Sequence, residues 1–499
     1  MNLTTLLNSM DYQSIGETKD KEIESLVYHS DDAKSKSVFF AIEGRDTDGE
    51  KYISDVISKG CKAIVVSEEY DTKAVQNDYQ KDVAFIKVKD VRRSMAQMAA
   101  KFFQNPSKDL LTIGITGTKG KSSTSYMIWR ILEEAGINTG IIGTMFTGYS
   151  GNLEESKNTT PQSVDIQKML KSMKDAGCKA AVIEVSSQGL MQKRTDFVNF
   201  DIGVFTNMSP DHIGEGEHKN YEEYKYWKSC LFKQCKRAVM NLDDEEYKFM
   251  LEDSSVERTV FYGKDKRADF IIKDMELWSE NGCLGVKYQL ETKKQYEDGL
   301  IHDITLELPG DFNSYNGTAA IAVTRMLGVP WNIIKNTLKN IKIPGRAETV
   351  DVSKDFTAMV DYAHNGKALE SLLSNLKKYK PSRLIVVFGC GGNRDKNRRV
   401  EMGKAASELS DVIIVTSDNP RNENPYAIIE DIKDNIKNID KVLTVPDRRE
   451  AIGTAIKVAH EGDIVIIAGK GHETYQIIGD NIIHFDDREE LLSFRKESE

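Results

Sequence analysis

The chain of 499 residues lacks several things, and each absence removes a class of answer. It has six cysteines, Cys61, Cys178, Cys230, Cys235, Cys283 and Cys390, and no two form a C-x-x-C pair. Eight histidines are scattered among them, without the spacing of a structural zinc site. Thiols this sparse fit a reducing compartment, and buried reduced thiols are expected. Cys230 and Cys235 would approach each other if one helix carried both. Ten prolines and 35 glycines are too few for a proline-rich or collagen-like chain. No apolar run of about 18 residues exists, so no membrane span is expected. The opening MNLTTLLNSMDYQ has neither the basic flank nor the apolar stretch of a secretory signal, so the expected location is cytoplasmic. Positive charge is in deficit, 68 Lys and Arg against 78 Asp and Glu, for a net charge of −10. A dedicated nucleic-acid binder needs a basic face, so that class is disfavoured, whereas a local basic pocket for phosphate remains open.

What is present reads as a globular α/β protein. Hydrophobic residues make up 39% and charged residues 29%. At about 150 residues per domain, the length predicts about three domains. Residues 1–108 read as a small α/β unit with strands at 37–42 (SVFFAI) and 61–67 (CKAIVVS), a polar turn at 44–49 and a linker at 104–108. From residue 109 to 343, apolar strands at 110–115, 180–185 and 201–206 alternate with helices. The helix at 122–135 places Met127, Ile128, Ile131, Leu132 and Ala135 on one stripe. Such alternation predicts a doubly wound, mainly parallel central sheet, and residues 267–307 suggest an antiparallel edge. Pro344 and Gly345 mark a hinge. Residues 344–499, with buried-strand patterns at 383–388, 411–416 and 463–468, read as a Rossmann-like domain. In such sheets ligands bind beyond the carboxyl ends of the strands.

After the first of these strands comes Gly114-Ile115-Thr116-Gly117-Thr118-Lys119-Gly120-Lys121-Ser122, then the helix. Glycines let backbone amides approach phosphate oxygens, and the helix start adds partial positive charge. Lys121 can reach the terminal phosphates and the Ser122 hydroxyl can ligate Mg²⁺. The spacing departs from Walker A, whose first glycine would fall at Ile115. Glu184 ends an apolar strand in EVSSQ, and a carboxylate buried there without a partner is costly, so a cation would explain it. The next strand ends in Thr206-Asn207-Met208-Ser209-Pro210-Asp211-His212. Taken singly, Glu184 also fits a satisfied structural acid and His212 a capping histidine.

Together these motifs resemble the Mur ligases, ATP-dependent amide-forming enzymes that build the peptide of cell-wall precursors. Thr116-Gly117-Thr118-Lys119-Gly120-Lys121-Ser122 matches the family's phosphate loop. Glu184 and His212 match its Mg²⁺ ligands. Tyr224-x-x-x-Lys228-x-x-Leu231-Phe232 resembles the segment whose lysine is carbamylated, which would make Lys228 a carboxylated ligand for a second Mg²⁺; the neighbouring Lys225 reads as a surface lysine. The resemblance places Asn313 and Asn316 on the adenine side, with Arg346 in Gly345-Arg346-x-Glu348, and Asp361 toward the ribose. It implies catalytic roles for Lys121, Lys228 and His212, the cofactors ATP and two Mg²⁺ ions, and closure of the third domain about Gly345.

Within the family the resemblance is to the tripeptide-forming branch, which extends UDP-N-acetylmuramoyl-L-alanyl-D-glutamate. It implies domains 1–108 for UDP, 109–343 for ATP and 344–499 for the amino acid. Thr159, Thr160 and Pro161 in NTTPQS, with Ser186, Gln192 and Arg194, fall at positions for the muramoyl-dipeptide, and Ser30 at one for uridine. The amino-acid candidates are Arg394, the run Asp418-Asn419-Pro420-Arg421, Gly469 and Glu473. Asp-Asn-Pro-Arg is the form of members adding meso-diaminopimelate, whose distal carboxylate suits arginine and whose distal ammonium suits Glu473. Each arginine could instead pair a neighbouring acid, such as Asp395 beside Arg394. L-lysine is the alternative amine, since the ATP-loop region resembles some lysine-adding members. A folylpolyglutamate-type ligase and a non-catalytic nucleotide-binding regulator are more distant alternatives. The expected partners are these substrates, with no nucleic acid, no membrane and a monomeric state.

Overall fold

A computed structural model describes residues 1–19, 21–44, 47–72, 83–149, 151–214, 216–294 and 299–495. Arg45 and Asp46, inside the turn expected at 44–49, lie outside the described residues. The chain divides into two compact units, Met1–Phe261 and Tyr262–Glu499. Among the described residues no helix is long and apolar enough to cross a membrane.

The first unit opens with a five-stranded sheet in the order Gln13–Ile15, Ala84–Val88, Ala63–Ser67, Ser37–Phe40, Ser25–Val27. The first pair is antiparallel and the others parallel. Successive side chains point to opposite faces, so a continuous apolar run serves two cores. Val38, Phe40, Val65 and Ile86 face one side with Met95 and Met98 of the helix Val91–Phe102. Phe39, Ile64, Val66 and Phe85 face the other with Val56 and Ile57 of the helix Ile53–Ser58. Ser37–Phe40 and Ala63–Ser67 were legible in this region; the other three strands were not.

The central sheet of this unit runs Cys235–Asn241, Phe200–Phe205, Leu111–Thr116, Ala180–Glu184, Thr139–Ile142, all parallel. The antiparallel strands Phe146–Tyr149 and Asn152–Glu155 extend it. The first strand in chain order, Leu111–Thr116, lies inside the sheet, so the chain winds to both sides of it, as expected of a doubly wound sheet. Glu184 pairs with Ile115, and Phe205 with Thr116. Three strands therefore end level and send their loops to one edge, beside the topological switch point. The helix Lys121–Glu134 buries Met127, Ile128, Ile131 and Leu132 against the sheet.

No single helix carries Cys230 and Cys235. The helix Tyr221–Ser229 stops before both, Cys230 caps it, and Cys235 opens the next strand. All six thiols are free, but Cys230 and Cys283 are only partly buried. Lys225 is not the surface lysine expected: it is buried, ion-paired with Glu222 and Glu246, and lies 4.6 Å from the Phe249 ring.

In the second unit, Phe270–Glu280, Cys283–Thr292 and Ile301–Leu306 form the antiparallel meander expected from residues 267–307. The helices Phe312–Met326 and Trp331–Lys339 follow. A six-stranded sheet then runs Glu348–Val350, Thr357–Asp361, Ile464–Ala468, Leu384–Phe388, Val412–Val415, Val442–Thr444, parallel except for its first strand. Ile385, Val387 and Ile467 pack on one face, and Val386, Phe388 and Ile466 on the other. Gly345 has φ +66°, its N–H donates to Glu348 and its carbonyl accepts from Tyr362. The expected hinge residue is therefore held on both sides.

Candidate active site

The loop after Leu111–Thr116 is built on a glycine where any side chain is strained. Gly117 has φ +146°, and a Cβ there would sit 2.0 Å from Thr206 Oγ1. The Thr206 hydroxyl is itself tied to Lys119 O at 2.7 Å. The next strand's loop braces the turn: Thr118 N donates to Asn207 O (2.8 Å) and Lys119 N to Asn207 Oδ1 (3.0 Å). These two amides are bonded within the protein. Gly120 stands at the helix N-cap and supplies no side-chain cap, so the first-turn amides carry the positive end of the helix. Thr116 Oγ1 is buried at the same edge without a partner.

Two lysines converge on this loop. Lys121 Nζ donates to Gly117 O (2.9 Å) and Thr118 O (3.1 Å), and Lys228 Nζ to the same Gly117 O at 2.7 Å. Lys228 is 1% exposed and lies 4.6 Å from the Tyr224 ring. Burial, reinforced by the Lys121 charge, pushes its ammonium pKa well below the ordinary lysine value. Two cations sharing one carbonyl make the loop strongly electropositive.

Glu184 is buried, as read, but it is not unpaired. Its Oε2 accepts from Ser122 Oγ (2.8 Å) and Thr144 Oγ1 (2.9 Å), its Oε1 from Thr144 N (2.9 Å) and Ser125 Oγ (3.3 Å). The premise of an uncompensated acid fails, because sequence does not show which hydroxyls fold onto it. Thr144, which follows Gly143 in a short turn, was missed for the same reason. The donor set of carboxylate and hydroxyl oxygens nevertheless suits a hard cation such as Mg²⁺.

His212 stands apart from this cluster. It has φ +52°, is half exposed, and its Nδ1 lies 3.1 Å from Glu217 Oε1. No hydrogen bond or ion pair joins it to Glu184, and among the described residues no group of three His, Cys, Asp or Glu side chains is placed to hold a metal. The strand end at Thr206 and Asn207 reaches the phosphate loop, and the His212 ring lies 6.1 Å from the ring of Tyr224, whose hydroxyl donates to Thr118 Oγ1 at 3.3 Å.

The muramoyl candidates form one network. Thr159 Oγ1 lies 3.0 Å from Thr144 Oγ1. Thr160 Oγ1 donates to Glu184 O (2.9 Å) and accepts from Ser186 N (3.0 Å). Arg194 donates to Thr160 O (2.6 Å) and grips Gln192 Oε1. Pro161 is buried beside them. Arg92, which no motif flagged, donates to Glu43 O (2.6 Å) and reaches Gln192 Oε1 at 3.5 Å. Ser30 begins a short 3₁₀ turn, where its carbonyl accepts from Lys59.

The remaining candidates lie in the second unit. Asn313 and Asn316 are buried and bond each other at 3.0 Å. Asp361 is buried and its carboxylate accepts from Ala347 N and Ala363 N, both at 2.7 Å. Burial pushes its pKa up, and Arg346 opposes this. Arg346 lies 5.4 Å from the Tyr362 ring, with Nε buried and unpartnered.

Beyond the ends of Leu384–Phe388, Val412–Val415 and Ile464–Ala468, the amino-acid candidates meet. Arg421 donates to Gly392 O at 3.0 Å, so it takes carbonyls rather than a neighbouring acid. Asp395 accepts from Asn397 N and forms no ion pair with Arg394, which is exposed. Asn419 Nδ2 donates to Glu473 Oε2 at 3.2 Å. Pro420 O receives no side chain from Gly392, where a Cβ would clash at 1.9 Å. Gly469 N donates to Asp361 O, linking this site to the ribose-side candidate.

The sequence matches three family models in order: the Mur ligase family catalytic domain over residues 22–103, the Mur ligase middle domain over 115–324, and the Mur ligase glutamate ligase domain over 345–471. It is 39% identical over 501 residues to the UDP-N-acetylmuramoyl-L-alanyl-D-glutamate–2,6-diaminopimelate ligase of Caldanaerobacter subterraneus subsp. tengcongensis, with all of each chain covered. The chain belongs to the Mur ligase family. The equally named protein of Clostridium botulinum is also 39% identical over 501 residues, again with 100% of each chain covered. A solved structure of a ligase of that name superposes with a TM-score of 0.68 at 29% identity, covering 96% of both chains. The ligase fold expected from the phosphate loop and the alternating strands is therefore shown along the full length.

Proposed function

We propose that the chain is an ATP-dependent ligase that joins meso-diaminopimelate to UDP-N-acetylmuramoyl-L-alanyl-D-glutamate. The observation that carries this reading is the meeting of Asp418-Asn419-Pro420-Arg421 and Glu473 at one edge of the C-terminal sheet, with Arg394 and Arg421 both beside Gly391, in a chain 39% identical end to end to ligases of that name. An amino acid with a distal carboxylate and ammonium needs both signs of charge there, and this edge supplies them. In this reading residues 1–108 take the UDP moiety, 109–343 ATP and 344–499 the amino acid, in a cytoplasmic monomer.

The reaction begins as the D-glutamyl γ-carboxylate attacks the γ-phosphorus of ATP, releasing ADP and leaving an acyl phosphate. Lys121 and the helix start neutralise charge at the phosphates, so positioning supplies most of the acceleration. The neutral amine of the incoming amino acid then attacks the acyl carbon, its nitrogen gives up a proton, phosphate departs and the amide remains. Thr160, Ser186, Gln192 and Arg194 orient the muramoyl-dipeptide.

Magnesium, when bound, would offset phosphate charge; Glu184 with the Ser122 and Thr144 hydroxyls are its best-fitting donors, and His212 and Lys228 are further candidates. Lys228 serves as a ligand only if carbamylated. Its depressed pKa supports that chemistry, because the neutral amine adds to CO₂ and releases a proton.

Phosphate release from ATP and the UDP-muramoyl-dipeptide, with each amino acid offered in turn, tests the reading. Release with meso-diaminopimelate supports it. Release with L-lysine alone overturns the choice of amine, and release with neither overturns the ligase reading.

A further inference from the structure

Three buried cations stand behind the loops of the amino-acid site. Arg448 and Asp487 form a fully buried bidentate ion pair, Nε donating to Oδ1 and Nη2 to Oδ2, both at 2.7 Å. The same guanidinium donates to Ala468 O (3.2 Å) and Ser417 O (3.4 Å), so it ties two strand ends together as a closed, neutral pair. Arg399 is likewise compensated, by Glu423 and Asp431, and Glu423 in turn accepts from Asn393 N.

Lys470 differs. Its side chain is wholly buried, and its ammonium pairs only at 3.5 Å with the Glu473 carboxylate, itself a candidate for the substrate. It donates to Tyr475 O (2.5 Å), Asn419 Oδ1 (3.2 Å) and Glu473 Oε2 (3.5 Å). The last two are candidate substrate-binding side chains, and Asn419 closes the triangle by donating to Glu473. Asn419 Oδ1 also accepts from Ile477 N at 3.0 Å, which fixes which way its amide points. Burial pushes the Glu473 carboxyl pKa up, and Lys470 is the largest influence pulling it back. Among the candidate substrate-binding side chains together with Lys470, Arg394, Arg421 and Lys470 stand against Asp418 and Glu473, an excess of one positive charge.

We propose that Lys470 is a positioning and specificity-determining residue, whose ammonium fixes Asn419 and Glu473 and tilts the site toward amino acids with a distal carboxylate. This rests on the ligase reading above. A distal ammonium alone, as in L-lysine, meets a site with surplus positive charge. A distal ammonium accompanied by a carboxylate does not suffer that penalty. Without Lys470 the surplus vanishes and the discrimination weakens by about tenfold or more, which is the effect of a unit charge within about 12 Å in a medium of effective dielectric about 20.

The test offers meso-diaminopimelate and L-lysine together and weighs the two products by mass. Lys470→Met and Lys470→Gln are each expected to lower the diaminopimelate-to-lysine ratio about tenfold, with the KM for ATP within about twofold of wild type. Glu473→Gln, an isosteric change on a partly exposed side chain, removes negative charge and should move the ratio the opposite way. A purely structural Lys470 would depress both products equally and leave the ratio unchanged in the Lys470 variants, which overturns the proposal. So does a ratio that stays constant or falls in Glu473→Gln, whether or not the Lys470 variants fold. A wild-type enzyme that uses neither amino acid fails the ligase reading instead, and the two failures are distinct.

Discussion

Glu184→Gln separates a metal-binding acid from a structural one, and the geometry sets the scale. The carboxylate accepts four hydrogen bonds, two at each oxygen. Three come from hydroxyls, which can turn and accept instead; the fourth, from Thr144 N, cannot. The amide oxygen therefore keeps the Oε1 place and its NH₂ faces the Ser122 and Thr144 hydroxyls. All four contacts survive in weaker form, each losing about 1 kcal/mol of charge assistance. Against this, the desolvation cost of a buried carboxylate, several kcal/mol, disappears. The two nearly cancel, so stability should change by about 1 kcal/mol or less, about 2–4 °C in Tm. Phosphate release should nonetheless fall at least about 100-fold, or ~2.7 kcal/mol of barrier, because the anionic donor is gone. The Mg²⁺ concentration for half-maximal rate should rise with it. The assay pairs thermal unfolding with phosphate release across a Mg²⁺ series. A variant that melts about 10 °C lower yet keeps wild-type turnover and Mg²⁺ dependence would show a structural acid and refute the reasoning.

Three other outcomes are expected. Lys228→Ala should lose at least about 100-fold in phosphate release, with partial recovery on adding a short carboxylic acid; a wild-type rate would remove Lys228 from the mechanism. Gly117→Ala places a methyl group 2.0 Å from Thr206 Oγ1 at φ +146°, so nucleotide affinity measured by calorimetry should fall while the fold persists, and unchanged affinity would count against the loop assignment. Burial pushes the Cys390 thiol up to about 12 and the Cys283 thiol up to about 11. At pH 8 both stay protonated, so iodoacetamide should leave Cys390 unmodified in the native protein and label it only after unfolding; a native adduct at Cys390 found by peptide mapping would contradict its burial.

Much of the candidate site was legible because its chemistry is local. A glycine loop between an apolar strand and an amphipathic helix needs only contiguous residues, and the strands that carry Glu184 and Thr206 announce themselves by uninterrupted apolar runs. The short strands Gln13–Ile15 and Ser25–Val27 did not, since three residues give no period to read. Lys225 read as exposed because its burial is made by Glu246 and Phe249, some 20 residues away in the chain.

The sequence by itself determined the order of elements, the phosphate loop and the residue types that can handle phosphate, carboxylate and ammonium, because these follow from periodicity and side-chain chemistry. Only the tertiary structure decided which partners those groups keep. It gave Glu184 three hydroxyl partners, turned His212 toward Glu217, and buried Lys470 between Asn419 and Glu473. Such pairings depend on strand register and on loops brought together across tens of residues, and a linear pattern does not specify them.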